Sequence, residues 1–280
     1  MKYNKISGFS DEISENVREQ FETLNRLGIK YFEPRGIDGK NISELNGSEV
    51  SALREKMREY GISVSSIGSP IGKIGICDPF EPHFESFKRV VEIAESLDTR
   101  FIRIFSFYIP DGGKAEEWRG EVTERLGKMR DYAKAEDVVL LHENEKGIYG
   151  DNADRCADIF DALYGESFRG VFDPANFVQC GQDTKEAFAR LEKYIAYVHI
   201  KDAEEDGCVV PAGKGAGNVE FILKRLIDSG YDGFLSLEPH LGSFSGFEKL
   251  ERGAAEKKKM SSAEKFILAY NSLNEILERI

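Results

Sequence analysis

The order of apolar and polar positions divides the chain into two alternating kinds of segment. Eight short runs are rich in aliphatic, β-branched and aromatic residues, which is typical of strands; they are residues 3–9, 29–34, 61–68, 100–107, 137–144, 168–174, 195–201 and 233–239. Between and after them, apolar residues recur at helical spacing in the stretches 15–28, 48–61, 84–97, 117–136, 152–163, 183–194, 218–230 and 262–277. The pattern therefore predicts eight strands, each followed by a helix.

The first two predicted helices show how the sequence marks helix ends. From Val17, apolar side chains follow at offsets of four, three and three, so they form one stripe along the helix. Gly28 and Gly61 are predicted to end the two helices, because glycine readily adopts the left-handed conformation of a helix C-cap. Ser48 is predicted to cap the start of the second helix.

Eight strand–helix units are typical of an α/β fold of the (β/α)₈ TIM-barrel type. Several strands are almost continuously apolar, as expected of parallel strands that helices cover on the outside. An open doubly wound sheet is the competing architecture, but its glycine-rich first turn is missing, because residues 7–14 read SGFSDEIS. No linker-like tract divides the chain, so we expect a single barrel domain over residues 1–280. The charged stretch 248–260 is expected to be a loop or a solvated helix face.

Composition narrows the class of protein. The chain has 280 residues, 41% of them hydrophobic, and a net charge of −12. This charge argues against broad nucleic-acid binding, which normally needs a basic face. Four widely spaced cysteines without a CxxC pair suggest reduced thiols in a cytoplasmic protein. We expect neither a signal peptide nor a membrane span, since no apolar run approaches about 18 residues.

Potential metal ligands stand at the ends of four consecutive predicted strands. Strands five to eight end in Glu143, Asp173, His199 and Glu238, which are separated by 30, 26 and 39 residues, roughly one strand–helix unit each. The carboxyl ends of barrel strands form the working face, so these side chains are expected to converge there. Any one of the acidic residues alone is more often a helix cap or half of an ion pair, and a histidine alone is more often a partly buried imidazole with a hydrogen-bond partner.

Three carboxylates and one imidazole form a donor set suited to a divalent cation. Buried together without a cation, the carboxylates would repel one another and at least one would take up a proton. Oxygen-rich ligands favour Mn²⁺ or Mg²⁺, while Zn²⁺ or Co²⁺ also fits a set with one nitrogen.

Other polar residues near the strand ends are candidate substrate-binding groups. Glu33 and Arg35 either bind substrate hydroxyls or pair with other charges. Arg103 lies in an apolar strand, where it needs a partner carboxylate or an anionic substrate. The remaining candidates are Glu145, as a possible second acid/base group, Lys201, which either meets negative charge or lies on the surface, and the loop residues Lys214 and His240.

Three neighbouring features leave alternatives open. Asp202 either orients His199 or caps a helix. The glycine-rich loop 210–218 either cradles a phosphate at the start of the next helix or is a plain turn, which is the more common case. His142 alternates with Glu143 along the strand and is expected to pack outside the barrel.

Several motifs resemble the xylose isomerase-like barrel superfamily, within it the sugar phosphate isomerase/epimerase proteins. They are 172-FDPAN-176, 198-VHIKD-202, 210-VPAGKG-215 and 235-LSLEPH-240, with a further likeness in 31–45. The resemblance implies that Glu143, Asp173, His199 and Glu238 bind one divalent cation. Many ketose epimerases of this group carry histidine three residues after the strand-six aspartate. This chain has Asn176 there, also a candidate substrate-binding residue, which departs from the ketose-epimerase pattern.

The expected chemistry is isomerisation or epimerisation of a small sugar or sugar-like hydroxy-ketone through a metal-stabilised enediolate. Glu143 and Glu238 are the predicted acid/base pair, also in accord with the resemblance to ketose epimerases. The alternative is a metal-dependent dehydratase or lyase acting on a cyclic polyol or keto-sugar. A DNA-repair endonuclease would need more histidines and a basic groove, and a non-catalytic binding barrel is the remaining possibility. Partners are expected to be a small carbohydrate or polyol and a second copy of the chain, with no nucleic acid or membrane.

Overall fold

The computed structural model describes residues 3–241 and 260–280. Residues 248–259 of the charged stretch therefore lie outside the described residues. The strands are β1 Ile6–Gly8, β2 Tyr31–Phe32, β3 Gly36–Ile37, β4 Lys40–Asn41, β5 Ser63–Val64, β6 Ile67–Gly68, β7 Phe101–Ile104, β8 Val139–Glu143, β9 Phe168–Phe172, β10 Ile195–Ile200, β11 Asp202–Ala203, β12 Val209–Val210 and β13 Phe234–Leu237.

The α-helices lie between these strands and after the last of them. They are α1 Val17–Leu27, α2 Gly47–Tyr60, α3 Phe80–Ser96, α4 Arg119–Ala135, α5 Ala153–Leu163, α6 Pro174–Gln179, α7 Thr184–Leu191, α8 Val219–Asp228 and α9 Ser262–Arg279. Among the described residues, no helix has both the length and the apolar character needed to cross a bilayer.

The parallel strands curl into a closed barrel. Seven of them form one sheet in the order β1-β13-β10-β9-β8-β7-β6, and β2 pairs with β5. Backbone hydrogen bonds close the ring, from Glu33 N to Gly8 O and from Gly68 N to Pro34 O, both 2.9 Å long. The predicted (β/α)₈ barrel is confirmed. The third predicted strand is interrupted, because β5 and β6 are separated by Ser65 and Ser66.

Two kinds of contact stabilise the barrel, one outside its strands and one inside. Apolar side chains on the outside of the strands pack against the helices in one large core, in which α5 and β9 contribute Phe160 and Phe168. Inside, buried hydroxyls link strands across the barrel: Ser65 Oγ lies 2.6 Å from Ser7 Oγ and 2.9 Å from the hydroxyl of Tyr197. Buried polar groups need such partners, and these hydrogen bonds allow polar side chains to lie inside the barrel below its mouth.

Helix ends follow the predicted signals with one exception. Gly28 and Gly61 cap α1 and α2 with φ of 76° and 62°, as predicted. Ser48 is not the cap of α2. Asn46 is the cap, because its side chain accepts from the backbone N–H of Ser48 and Glu49, and Glu49 returns a bond to the Asn46 N–H.

Three short elements escaped the sequence pattern. Helix α6 follows the strand-six aspartate directly, and the hairpins β3–β4 and β11–β12 lie beyond the ends of their barrel strands. Each is too short to show a periodicity of its own. All four cysteines are free.

The segment after β6 packs against the end of β7 and forms part of the barrel mouth. Phe105 N donates to Ile71 O, and Phe107 N donates to Gly72 O. Gly72 has φ of 90°, and a Cβ built there would lie 2.1 Å from the backbone oxygen of Phe105. Only glycine permits this close backbone approach.

We therefore predict that Gly72→Ala lowers the free energy of unfolding by about 2–4 kcal/mol, through the unfavourable φ and the backbone clash. Chemical denaturation measures the change. Gly120→Ala is the matched control, because Gly120 lies in α4 and a Cβ built there meets no heavy atom within 4 Å in residues 3–241 and 260–280, apart from the helix's own backbone. That variant should be neutral or stabilising by up to about 1 kcal/mol; equal stability of the two variants would show that the segment can move aside.

Candidate metal centre and barrel mouth

Four chemically suited side chains meet at the carboxyl ends of neighbouring strands. Glu143 is the last residue of β8, Asp173 follows β9, His199 lies on β10 and Glu238 follows β13. All four are buried, none more than 3% exposed. One ligand atom from each lies within 4.8 Å of every other. The four side chains therefore converge at the carboxyl ends of the strands, as the sequence pattern predicted.

The imidazole of His199 faces three carboxylate oxygens through one nitrogen. His199 Nδ1 lies 2.9 Å from Glu143 Oε1, 3.6 Å from Glu238 Oε2 and 3.9 Å from Asp173 Oδ2. For an ion that binds its ligands at about 2.1 Å, neighbouring ligand atoms stand about 3 Å apart and opposite ones about 4.2 Å. These separations fit a shared cation, and the cluster can hold a divalent metal.

Glu33 supports the imidazole from inside the barrel. It is fully buried, and its Oε2 accepts hydrogen bonds from the hydroxyls of Tyr197 at 2.8 Å and Ser236 at 2.7 Å. The same oxygen lies 3.4 Å from His199 Nε2. Glu33 was expected either to bind substrate hydroxyls or to pair with other charges. Its position agrees with pairing inside the protein, because no part of the side chain is exposed at the mouth.

Two buried cations border the cluster. Lys201 Nζ lies 2.8 Å from Asp173 Oδ2 and 2.9 Å from Glu238 Oε2. Arg103 Nη1 donates to Glu143 Oε2 at 2.8 Å, and its guanidinium stands over the rings of Phe9 and Phe105. The carboxylate partner expected for Arg103 is therefore Glu143.

Arg35 and His240 lie at the solvent side of Glu238. Arg35 Nη1 is 3.2 Å from Glu238 Oε1 and 3.3 Å from His240 Nε2, and the other guanidinium nitrogens bind Asp11 and Glu12. Glu12 Oε2 also accepts the backbone N–H of His240 at 2.7 Å, which holds His240 at a φ of 44°. Sequence reasoning missed Asp11 and Glu12, since they follow β1 in a short 3₁₀ turn without a ligand-like pattern.

Two asparagines tie the strand ends together. Asn144 Oδ1 accepts the backbone N–H of Asp173, and Asn144 Nδ2 donates to the Asp173 carbonyl, both at 3.0 Å. Asn176 Nδ2 donates to Glu143 Oε1 at 3.2 Å and to the Asn144 carbonyl at 2.8 Å. Asn176 therefore lies inside the site, while Asn144 was missed although it adjoins Glu143.

Two of the candidate residues lie away from the cluster. Glu145 pairs with Lys73 at 2.9 Å, and the Lys73 ammonium stands over the Phe105 ring at the rim. This ion pair makes Glu145 a rim group without a direct contact to the four clustered residues. Lys214 is exposed on the loop 210–218, and its backbone N–H binds Pro211 O.

The pKa values record the crowding of charge. Burial alone would raise the pKa of Glu143, but the charges of His199 and Arg103 outweigh it and lower the pKa to about 2. Burial raises the pKa of Asp173 to about 7, against the attraction of Lys201 and with added repulsion from Glu143 and Glu238. A buried aspartate that resists ionisation marks a place where further positive charge would be stabilising.

The charge count agrees with this. Six carboxylates in the connected network face three permanent cations; the carboxylates are Asp11, Glu12, Glu33, Glu143, Asp173 and Glu238, and the cations are Arg35, Arg103 and Lys201. With His199 neutral and all six carboxylates ionised, as metal binding requires, a divalent cation would reduce the excess from three negative charges to one. The residues therefore fit the ion that their donor types favour.

Three glycine amides of the loop 210–218 are bound within the protein. Asp202 Oδ2 accepts from the backbone N–H of Gly213 and Gly215, and Oδ1 accepts from those of Gly217 and Ala203, at 2.8–3.0 Å. The chain's own carboxylate thus takes the place considered for a phosphate. Asp202 neither orients His199 nor caps a helix, so both alternatives for it were wrong.

His142 packs outside the barrel, as expected from its alternation with Glu143. Its ring lies against Phe160 and Phe168, and neither nitrogen has a hydrogen-bond partner among the described residues. Burial lowers its pKa to about 4, so it is neutral at physiological pH and behaves as an apolar side chain.

Comparison with known proteins gives a family match. The model of the xylose isomerase-like TIM barrel family matches residues 21–263, which is most of the chain. No curated protein matches the sequence significantly.

Solved structures with the same fold span nearly the whole chain. The IOLI protein with a bound zinc atom has a TM-score of 0.77 at 18% identity and covers 98% of each chain. A probable 3-DHS dehydratase, AsbF of Bacillus anthracis, gives 0.73 at 16%, covering 97% of this chain and 99% of its own. A 3-keto-D-glucoside 4-epimerase, YcjR of E. coli, gives 0.68 at 15%, covering 98% and 99%. At these identities the likeness shows the shared fold.

The loop contacts of Asp202 generate a prediction. In Asp202→Asn, an amide N–H₂ would face two backbone N–H donors, so the free energy of unfolding should fall by about 2–3 kcal/mol. Thermal and chemical unfolding measure the change. Asp206→Asn is the control, because Asp206 accepts a single exposed backbone bond from Cys208. Equal stability of the two variants would mean that the loop does not depend on the buried carboxylate.

Proposed function

We propose, given that this chain belongs to the xylose isomerase-like TIM barrel family, that it is a metal-dependent enzyme that isomerises or epimerises a small sugar or sugar-like hydroxy-ketone. The observation that carries the proposal is the buried cluster of Glu143, Asp173, His199 and Glu238 at the barrel mouth. The fold shared with an epimerase and with a zinc-containing structure supports it.

The four clustered residues are the proposed metal ligands, with Mn²⁺ or Mg²⁺ favoured by the three oxygens and Zn²⁺ or Co²⁺ also compatible. When bound, such an ion supplies Lewis-acid polarisation of a substrate carbonyl, which acidifies the neighbouring C–H. His199 can serve as a neutral ligand through Nδ1, because Glu33 Oε2 lies 3.4 Å from Nε2, where it can face the N–H that the ring keeps.

Glu143 and Glu238 are the proposed acid/base pair. They stand on strands that are not neighbours in the sheet, so they reach the cluster from different sides of the mouth. Arg103 donates to Glu143 Oε2 and favours its ionised form, as a base requires, also when His199 is neutral. Glu238 Oε1 is turned toward the rim, where Arg35 and His240 lie within 3.5 Å. Of the proposed acid/base pair, Glu238 is the member that contacts the groups of the rim.

In the proposed reaction, one carboxylate removes the proton from the carbon beside the carbonyl, and the electron pair moves onto the carbonyl oxygen. The ammonium of Lys201 and the guanidinium of Arg103 stabilise the negative charge that develops. In epimerisation the second carboxyl group, which must enter the step protonated, gives its proton to the opposite face of the same carbon while the carbonyl re-forms. In isomerisation the abstracted proton is returned to the former carbonyl carbon, and the hydroxyl proton of the neighbouring carbon passes to the former carbonyl oxygen.

Dehydration is the alternative outcome of the same first step. After proton removal, loss of a hydroxyl from the next carbon would yield an enone, and the buried Lys201 ammonium is a group able to protonate that departing hydroxyl. The fold shared with a probable dehydratase supports this alternative. Product analysis separates the two reactions.

Metal binding is tested first. Isothermal titration of chelator-treated protein with Mn²⁺ should give one site per chain, and Asp173→Asn should weaken it at least about 100-fold, through the loss of one carboxylate ligand. Asp183→Asn is a matched control, since Asp183 also caps a helix through a backbone N–H but is exposed. Equal metal affinity of all three proteins would exclude Asp173 as a ligand.

Proton transfer is tested with metal-loaded protein and a panel of ketoses and keto-sugars in D₂O. Wild type should introduce deuterium beside the carbonyl, detected by NMR, and Glu238→Gln should reduce the rate by about 10²–10⁴-fold. Glu124→Gln, an exposed change on α4, should leave the rate unchanged. An enone product without exchange into recovered substrate would favour the dehydratase, and full activity of Glu238→Gln would exclude Glu238 as an acid/base group.

A further inference from the structure

Lys201 contacts two of the oxygens that the proposed metal would need. Its ammonium lies 2.8 Å from Asp173 Oδ2 and 2.9 Å from Glu238 Oε2. These are the same oxygens that face His199 Nδ1 across the cluster. The other oxygens of the two carboxylates are turned elsewhere, since Asp173 Oδ1 caps α6 and Glu238 Oε1 faces Arg35.

We infer that Lys201 is an internal counter-ion that occupies the carboxylate oxygens of the metal-free centre and competes with the divalent cation for them. The inference rests on the proposed metal site and names the residue that sets its affinity. In the metal-free protein the ammonium joins two buried carboxylates that would otherwise repel each other. When the dication binds, the ammonium gives up those oxygens.

Burial makes the competition strong. Lys201 is 5% exposed, Asp173 is fully buried and Glu238 is 3% exposed, so water screens their charges weakly. At such distances a unit positive charge repels an incoming dication by much more than it would in water. Metal binding forms the attraction between the dication and the carboxylates, but it breaks the pairing of those carboxylates with Lys201. Part of the binding free energy is therefore used to separate that ion pair.

The third carboxylate is arranged differently, which makes the competition specific to one side of the centre. Glu143 Oε1 is held by His199 and Asn176, and Arg103 contacts only Oε2. A dication can therefore take Glu143 Oε1 without displacing a permanent cation. Lys201 alone among the three permanent cations of the network contacts oxygens that face His199 Nδ1.

A merely supporting role predicts the opposite effect. If Lys201 only oriented Asp173 and Glu238 for the metal, removing its charge would loosen two ligands and weaken metal binding. If it competes, removing its charge strengthens metal binding while it destabilises the metal-free protein. The sign of the change in metal affinity therefore decides between the two roles, independently of any catalytic assay.

The experiment titrates chelator-treated protein with Mn²⁺ by calorimetry, for wild type, Lys201→Met and Lys201→Gln. Both variants should bind Mn²⁺ at least about tenfold more tightly than wild type. Lys201→Arg, which keeps the charge, should not bind more tightly. Lys224→Met is the matched control, because it removes an exposed lysine paired with Asp228 on α8, and its affinity should equal that of wild type.

Thermal unfolding with and without Mn²⁺ gives a second measurement for variants that are unstable without metal. The metal-free Lys201→Met and Lys201→Gln proteins should melt below wild type, and Mn²⁺ should raise their melting temperatures by more than it raises that of wild type. Unchanged or weaker affinity in both variants, together with an unchanged or smaller thermal shift, would overturn the inference and leave the metal site intact. No Mn²⁺ binding by wild type would instead refute the metal site of the proposed function.

Discussion

The burial of several carboxylates beneath one end of a barrel is the constraint on which the site depends. Each buried carboxylate must find a cation or hydrogen-bond donors, and removing one member of a buried pair typically costs about 3–5 kcal/mol. Arg103 meets this need for Glu143, the hydroxyls of Tyr197 and Ser236 meet it for Glu33, and Lys201 meets it for the remaining two. The raised pKa of Asp173 shows that the compensation is incomplete without a further cation.

Single side chains at the barrel mouth make two kinds of contact, and this helps to satisfy the constraint. Asp173 uses one oxygen to cap α6 and turns the other toward the cluster, so the strand end and the helix start fix its orientation together. Asn144 binds both backbone polar groups of Asp173, which locks the ends of β8 and β9 to each other. The proposed ligands, held in this way, would need little rearrangement to bind a metal, and preorganisation of this kind favours affinity and catalysis.

Positive charge at the barrel mouth comes from side chains and not from the backbone amides of the glycine-rich loop. The backbone amides of the glycine-rich loop are consumed by Asp202, and a Cβ at Gly215 or Gly217 would lie 2.5 Å from that carboxylate. The loop therefore encloses an internal anion. Positive charge for a substrate must therefore come from side chains. Lys201, Arg103 and Arg35 each pair with at least one proposed ligand or acid/base group, and Arg35 also pairs with Asp11 and Glu12.

The sequence by itself determined the barrel and the four residues that converge, because strand alternation and the spacing of strand–helix units fix which side chains reach the mouth. It also placed His142 outside, since neighbours on a strand point to opposite sides. It left the partners of Lys201, Glu33 and Asp202 undecided. Those contacts join residues 28 to 203 positions apart or depend on a loop without periodicity, so only the closed barrel brings them within hydrogen-bonding distance.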